Sequence, residues 1–375
     1  MAASLSNVFR LGVKELWNLA RDPMMLALII YTFTVSIYVA ATAMPESLHR
    51  AAIAIVDEDA SPLSGRIAES FYPPHFNPPH RVTLAQGDVA LDHGDYTFLL
   101  VIPAGFQRDV LARRSPAIQL NVDATRMSQA FTGSGYIQEI IGGEVNAFVN
   151  HHRAETVPPV ELRMRLRFNP NLEQAWFGSL MEIINNVTML SVILTGAALI
   201  RERERGTIEH LLAMPVTPLD IMLSKIWSMG LVVLLAAWLS LTLVVQGVLQ
   251  VPVQGDISLF MVAAALHLFA TTCMGIFLAT LARSMPQFGM LLVLVLLPLE
   301  LLSGGATPRE SMPQLVQNIM LAAPTTHFVS AGQAILFRGA SLEMVWPQLL
   351  SILIIALALF AASLSRFRKT VALIS

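Results

Sequence analysis

Cysteine is almost absent. The chain has one, Cys273, inside an apolar run, so no disulfide framework can form within it. Charge is scarce as well: Asp, Glu, Lys and Arg make up 13% of the residues, where an ordinary soluble domain carries about 25%. Hydrophobic residues reach 54% and the mean hydropathy is +0.60, which defines an integral membrane protein with a substantial polar part. The net charge of −2 says little about partners, because the charges are segregated by segment. No phosphate-binding loop of the Gly-Lys-Ser/Thr kind occurs, and no GxGxxG, so any ATP that drives this protein is bound by another chain. Nothing resembles a catalytic constellation, which excludes an enzyme reading. His75 and His80 share a proline-rich loop, but no cysteine or carboxylate completes a metal-ligand set. There is no internal repeat of the secondary-transporter kind.

The most informative stretch is Arg201 to Pro218, between two long apolar runs. It opens with alternating charge from Arg201 to Arg205, and Gly206 and Thr207 break that run. Ile208, Leu211, Leu212 and Pro215 follow at i, i+3, i+4 and i+7, the spacing of an apolar stripe on a short helix. Thr207 is a capping residue, Glu209 suits the positive end of the helix dipole, and Pro215 and Pro218 end the helix. A short amphipathic helix entered through a charge cluster suits a membrane surface where a partner docks. The alternative is a solvated loop whose arginines only set topology.

Taken in order, residues 5–22 read as an interfacial amphipathic helix. Leu5, Val8, Phe9, Gly12, Leu16 and Leu19 lie near one face, and Lys14 and Glu15 largely off it. Residues 24–44 are apolar and uncharged, about the 20 residues that cross a bilayer, and read as an uncleaved anchor. Residues 45–175 are polar and of domain size. Strands are expected at Ala51–Val56, Tyr96–Ile102 and Ala117–Val122, and helices at Leu63–Phe71, Gln107–Arg113 and Gln129–Val149, which is an α/β pattern. Residues 176–375 hold five more spans, near 176–200, 226–249, 258–281, 287–303 and 345–365. The segment 304–344 contains an apolar patch, Leu315 to Ala323, too short to span and suited to a re-entrant or interfacial helix. Arg10, Lys14, Arg21, Arg201, Arg203, Arg205, Lys225, Arg283, Arg366, Arg368 and Lys369 gather at one set of span ends, against Arg309 and Arg338 at the other. Both termini and the 201–225 loop are therefore expected in the cytoplasm and residues 45–175 in the periplasm.

Polar groups inside spans are functional candidates by default. Glu182, Asn185 and Asn186 lie in the outer half of the second span, and Glu300 near the outer end of the fifth, after Pro298. His267 and Cys273 lie in the fourth. The 18 methionines suit an adaptable apolar path or an ordinary membrane core.

This layout resembles the permease subunit of ABC-2-type transporters, of the type V exporter kind. The resemblance rests on Arg201-Glu202-Arg203-Glu204-Arg205-Gly206-Thr207 with Glu209, Leu211, Leu212 and Pro215. It rests equally on Leu302-Ser303-Gly304-Gly305, Pro308, Met312, Pro313 and Pro324-Thr325-Thr326-His327. The resemblance implies an α-helical polytopic inner-membrane protein, six transmembrane helices with an inserted periplasmic α/β domain, acting as a non-catalytic export permease for a drug-like or lipid-like substrate. It implies a separate ABC ATPase carrying ATP and magnesium, so no cofactor on this chain. A second permease chain, identical or paralogous, is implied too, with a membrane-fusion adaptor and contact with lipid. No nucleic-acid partner is implied. Residues 1–23 would be a connecting helix and 201–218 the coupling segment, with Leu211 and Leu212 seated in the ATPase and Glu202, Glu204, Gly206, Thr207 and Glu209 around them. Glu182, Asn185, Asn186 and Glu300 would line the translocation path. Two rival readings are a membrane-anchored sensor with a periplasmic ligand-binding domain and an ion-coupled transporter. The first lacks a cytoplasmic transmitter domain, and the second needs ionisable groups near mid-membrane, where only His267 is suitably placed.

Overall fold

The computed structural model describes residues 4–42, 50–123, 127–150, 174–206 and 216–372. The chain divides into two compact units, one formed by Met1–Ala43 with Leu166–Ser375 and the other by Met44–Arg165.

The first unit begins with helix α1, Leu5–Ala20. Its buried residues are Gly12, Glu15 and Leu19, which share a face at i, i+3 and i+7. Glu15 therefore lies on the buried face, a correction to the assignment of Glu15 off it. Asp22 then caps the first span by accepting a hydrogen bond from the Met25 amide at 3.1 Å, and Pro23 takes the first helical position, where its missing N–H costs nothing. Among the described residues, six helices are long and apolar enough to cross a membrane. They are Pro23–Thr42, Ala175–Glu204, Pro218–Val248, Ile257–Leu281, Met285–Leu302 and Leu342–Thr370, called spans 1 to 6 below.

The second unit is an α/β unit. Its strands are β1 (Ile53–Asp57), β2 (His80–Arg81), β3 (Phe98–Ile102) and β4 (Gln119–Val122). They form one sheet in the order β2-β1-β3-β4, with β1 parallel to both β2 and β3, and β4 antiparallel to β3. Every residue of β3 is buried, as a central strand covered on both faces requires. On one face Ile53, Ile55, Phe98, Leu100 and Ile102 pack with Leu63, Ile67 and Ile137 of helices α2 (Pro62–Glu69) and α5 (Met127–Val149). On the other, Ala54, Val56, Leu99 and Val101 pack with Val82, Leu91 and Tyr96, beside α3 (Leu84–Asp92). Helix α4 is Phe106–Leu111. Strand β2 and helix α3 are additions to the expected pattern. The strand is two exposed residues long, and the helix carries Gly87, which lets its backbone approach Leu99 closely, so neither shows a strong periodic signal.

In the first unit, span 2 is the most enclosed of the six and span 5 the least. The 304–344 segment contains two helices, α6 (Gln314–Met320) and α7 (Pro324–Arg338), which meet at a bend of 90°. This is the geometry of a broken or re-entrant element, and it falls where the short apolar patch was expected.

Spans 1 and 2 are held together by a ladder at four-residue intervals. Asn186 donates its side-chain amide to the Thr32 carbonyl at 2.9 Å. Ser36 donates to Glu182 at 2.5 Å. Gly178 passes so close to span 1 that an added Cβ would stand 2.5 Å from the Ala40 carbonyl oxygen. The middle of this ladder coincides with a π-helical turn, Thr32–Ser36. A π turn disrupts the regular i→i+4 bonding, and carbonyls freed in this way need partners where water is absent. Asn186 serves Thr32, and Ser240 of span 3 serves Phe33 at 2.6 Å. Ser240 itself opens a second π-helical stretch, Ser240–Val248.

Gly178→Val places a methyl-bearing carbon against an immovable backbone carbonyl. Overpacking of this kind costs about 1–3 kcal/mol, so the variant should insert into membranes normally yet unfold at a lower temperature in detergent. A thermal melt of the purified protein checks it, with Gly135→Ala, where an added Cβ meets nothing, as the silent control.

Candidate functional site

The charged run at the end of span 2 is spent largely on contacts within the chain. Lys225, in the second turn of span 3, is 1% exposed. A buried ammonium needs ionised partners. Its Nζ lies 3.0 Å from Glu15 Oε1 of α1 and 2.7 Å from Glu202 Oε2 of span 2. Lys14 Nζ adds a longer contact, 3.4 Å, to Glu202 Oε1. Two cations and two carboxylates thus neutralise one another where α1, span 2 and span 3 meet. Burial pushes the Glu15 carboxyl above its ordinary range; the Lys225 ammonium opposes that rise and the Glu202 carboxylate adds to it.

The rest of α1 is fastened to the same end of span 3. The Ser4 amide donates to Asp220 Oδ1 at 2.9 Å, and Asp220 also forms a reciprocal capping box with Thr217. The Trp227 indole donates to the Val8 carbonyl at 3.2 Å and stacks on Phe9. Gly12 is required there, because a Cβ would overlap the Trp227 ring.

The remaining charges of the run turn to other neighbours. Arg201 pairs with Asp22, and Arg203 donates to the Ala282 carbonyl at the end of span 4. Glu204 accepts from the Met285 amide at 2.8 Å, which satisfies one of the free N–H groups at the start of span 5. Gly206 ends the run with φ +68, the left-handed conformation common just past helix ends.

Within this chain, Glu202 and Glu204, both expected as contacts for a partner ATPase, already have partners. Glu202 is 8% exposed and turned inward, where it and Glu15 neutralise Lys225. Glu204 is exposed but engaged in capping span 5. Thr207, Glu209, Leu211 and Leu212 lie outside the described residues.

The second group of candidates separates in the same way. Asn186 is buried at 2% exposure and holds the Thr32 carbonyl, so it faces span 1 rather than an open path. Glu182 is half-buried with Ser36 as its partner. Asn185 is half-buried and lies with Glu182, Met189 and Ile193 on the one stripe of span 2 that the chain leaves partly uncovered. Glu300 is half-buried near the end of span 5 and within electrostatic reach of Glu182. His267 is fully buried, stacked on Phe328 at 4.1 Å, with Nε2 2.8 Å from the Thr188 hydroxyl. Cys273 is buried too. His75 stacks on Tyr136, and among the described residues no group of His, Cys, Asp and Glu could hold a metal ion.

Sequence reasoning missed the joint around Lys225. It counted Lys225 as a topology marker and Glu15 as a solvent-facing residue. The available signal was the placement of Lys225 between Ile221, Met222 and Ile226, and of Glu15 in register with Gly12 and Leu19.

Six candidate spans among the described residues and an inserted α/β unit define a polytopic membrane protein. The sequence matches the family described as ABC-2 family transporter protein over residues 24–365, and the chain belongs to that family. It is 62% identical to the inner membrane transport permease YhhJ of Escherichia coli (strain K12), over 98% of both chains. It is 26% identical to the probable multidrug ABC transporter permease YbhR of the same strain, over 96% of this chain and 97% of that one. It is 29% identical to the probable multidrug ABC transporter permease YbhS of that strain, over 64% of each. The chain is therefore an ABC-2 type transport permease.

Breaking the buried joint from one side should be far worse than removing it whole. Lys225→Met leaves Glu15 without its cation and Glu202 with only the longer contact to Lys14, and should cost about 3–5 kcal/mol, whereas the triple variant Lys225→Met, Glu15→Gln, Glu202→Gln should recover most of that loss. Denaturant or thermal unfolding of the detergent-purified variants measures the difference.

Proposed function

We propose that this permease is the membrane-spanning subunit of an exporter powered by a separate ABC ATPase, with residues 201–218 as the contact through which the ATPase acts. The observation that carries this reading is the Glu15–Lys225–Glu202 joint. It binds α1 to the ends of spans 2 and 3, immediately beside the segment that links those spans. A force applied to that segment is delivered to two spans and α1 together, instead of being lost in a hinge. The inward turn of Glu202 shifts the expected docking contacts onto the apolar residues Leu211 and Leu212, with Thr207 and Glu209 beside them, and leaves Glu202 as part of the frame.

The same reading places both termini in the cytoplasm and the α/β unit in the periplasm, where it meets substrate or an adaptor. Two permease chains would face each other across the partly uncovered stripe of span 2 and the sparsely covered span 5. Glu182, Asn185 and Glu300 would lie at that path, and Asn186 would hold span 1 against it. Opening and closing would follow from the ATPases drawing the two coupling segments together. A drug-like or lipid-like substrate suits a path with these few polar groups among apolar ones. The burial of His267 against Phe328 and Thr188 argues against an ion-coupled mechanism routed through that imidazole.

Leu211→Asp with Leu212→Asp should abolish ATPase association and transport while leaving membrane insertion intact. Affinity purification of the tagged protein in mild detergent, followed by mass spectrometry, provides the readout. Normal recovery of a phosphate-loop ATPase with the double variant would remove residues 201–218 from the coupling role.

A further inference from the structure

The loop after span 5 and helix α7, with Phe177 of span 2 and Gln348 of span 6, line a cavity of about 470 Å³ that the transport reading does not use. Its lining includes Ser303, Arg309, Thr326, Ser330, Arg338 and Gln348. Glu310 is the one carboxylate among the lining residues, against two guanidinium groups, and it is exposed.

Three side chains of this cavity carry a buried polar atom with no hydrogen-bond partner among the described residues. They are Arg309 Nε, Thr326 Oγ1 and Gln348 Oε1. Buried polar atoms are nearly always satisfied, because leaving one without a partner costs about 1–3 kcal/mol, and more when the group is charged. Three at one cavity point to a missing polar occupant. Thr326 is 3% exposed, so its hydroxyl can be met only from the cavity side. Arg309 has one other contact, from Nη2 to the Gln317 carbonyl at 3.4 Å, which leaves the Nε edge of its guanidinium available. The Gln348 amide can present either its oxygen or its nitrogen by a half-turn of the last bond.

The backbone adds to the same demand. Thr326 sits in the first turn of α7, a helix of 15 residues whose N-cap is Ala323. Ala323 has no side-chain acceptor for the free N–H groups of that turn, and the helix dipole makes this end positive. A guanidinium edge, a hydroxyl and an uncapped helix start converge on one cavity, and together they call for an oxyanion.

The position narrows the source of that anion. The cavity lies at the ends of spans 5 and 6. Helix α6, beside it, exposes Leu315 at 72% and Ile319 at 63%. Apolar side chains so exposed next to span ends suit the bilayer interface, the level at which phospholipid phosphates lie. We propose that the cavity is an oxyanion site that holds a phospholipid phosphate between Arg309 and the first turn of α7. This assignment stands apart from the exporter reading, since it depends on neither the ATPase nor the direction of transport.

The test uses the full chain purified in detergent and stripped of lipid. Phosphatidylglycerol is titrated in, retained lipid is counted by native mass spectrometry, and inorganic phosphate serves as competitor. Arg309→Gln should weaken lipid retention about tenfold or more, the loss of one charge-assisted hydrogen bond. Thr326→Val, which keeps the side-chain shape, should weaken it about fivefold. Arg309-dependent retention that resists inorganic phosphate supports the lipid source. Arg309-dependent binding of inorganic phosphate that displaces the lipid supports the oxyanion site and assigns it to a free anion. Wild-type retention of both probes by both variants would overturn the site. If Arg309→Gln does not purify as a single species, Thr326→Val decides alone, and unchanged retention by it overturns the proposal.

Discussion

A lysine ammonium placed among apolar side chains in a membrane protein must be neutralised on the spot, and Lys225 imposes that condition on three separate elements. Its two carboxylate partners come from α1 and from the end of span 2, Glu15 lying 210 residues from Lys225 along the chain. Coulombic attraction at this depth is weakly screened, so the geometry has little slack. Once Glu15 and Glu202 are committed to Lys225, the orientation of α1 follows, and with it the seating of Phe9 and Gly12 on Trp227. The net worth of such a pair against an apolar replacement is small. Its value lies in the arrangement it excludes, since any other register of α1 would strand a buried charge.

Further along the same helices the constraint changes from charge to hydrogen bonding. No water is available in the hydrocarbon layer to satisfy an irregular backbone, so the π turn in span 1 is possible only because neighbours supply donors. Asn186 and Ser240 supply them, and Ser36 with Glu182 continues the ladder one turn away. Polar residues that looked like candidates for a substrate path are in part the groups that make an unusual helix tolerable. Asn186 belongs to this class, whereas Asn185, one residue earlier, faces the stripe left partly uncovered.

Span 2 connects these two regimes. It carries Glu202 at one end and Glu182 twenty residues earlier, a separation of about 30 Å along a continuous helix. It is also the most enclosed of the six spans, whereas span 5 is nearly bare in the single chain. Span 2 is thus an enclosed rod anchored at its charged end, set in the same unit as a sparsely covered span 5. The cavity at α7 stands at the other ends of spans 5 and 6, where unsatisfied donors take the place of a salt bridge.

Much of this architecture was legible in the residues themselves. Apolar runs of bilayer length located the six spans, because crossing hydrocarbon demands about 20 uninterrupted apolar residues. Alternation of strands and helices between spans 1 and 2 marked an α/β unit. What failed was local and specific. Strand β2 and helix α3 escaped because a two-residue edge strand and a glycine-bearing helix have no periodicity to read. Glu15 was set on the wrong face, and the pairing of Glu202 with Lys225 was not read.

The sequence by itself determined the number and length of the membrane helices, the place of the inserted unit and the position of the charged segment. These follow from transfer free energies that act on each stretch of chain independently of the others. Only the tertiary structure decided which charges are spent inside the fold, which amides close a helix irregularity and which polar atoms are left without partners. Those outcomes depend on pairs such as Glu15 with Lys225, or Asn186 with Thr32. Coulomb and hydrogen-bond energies act over a few ångströms in space, a distance that spacing along the chain does not encode.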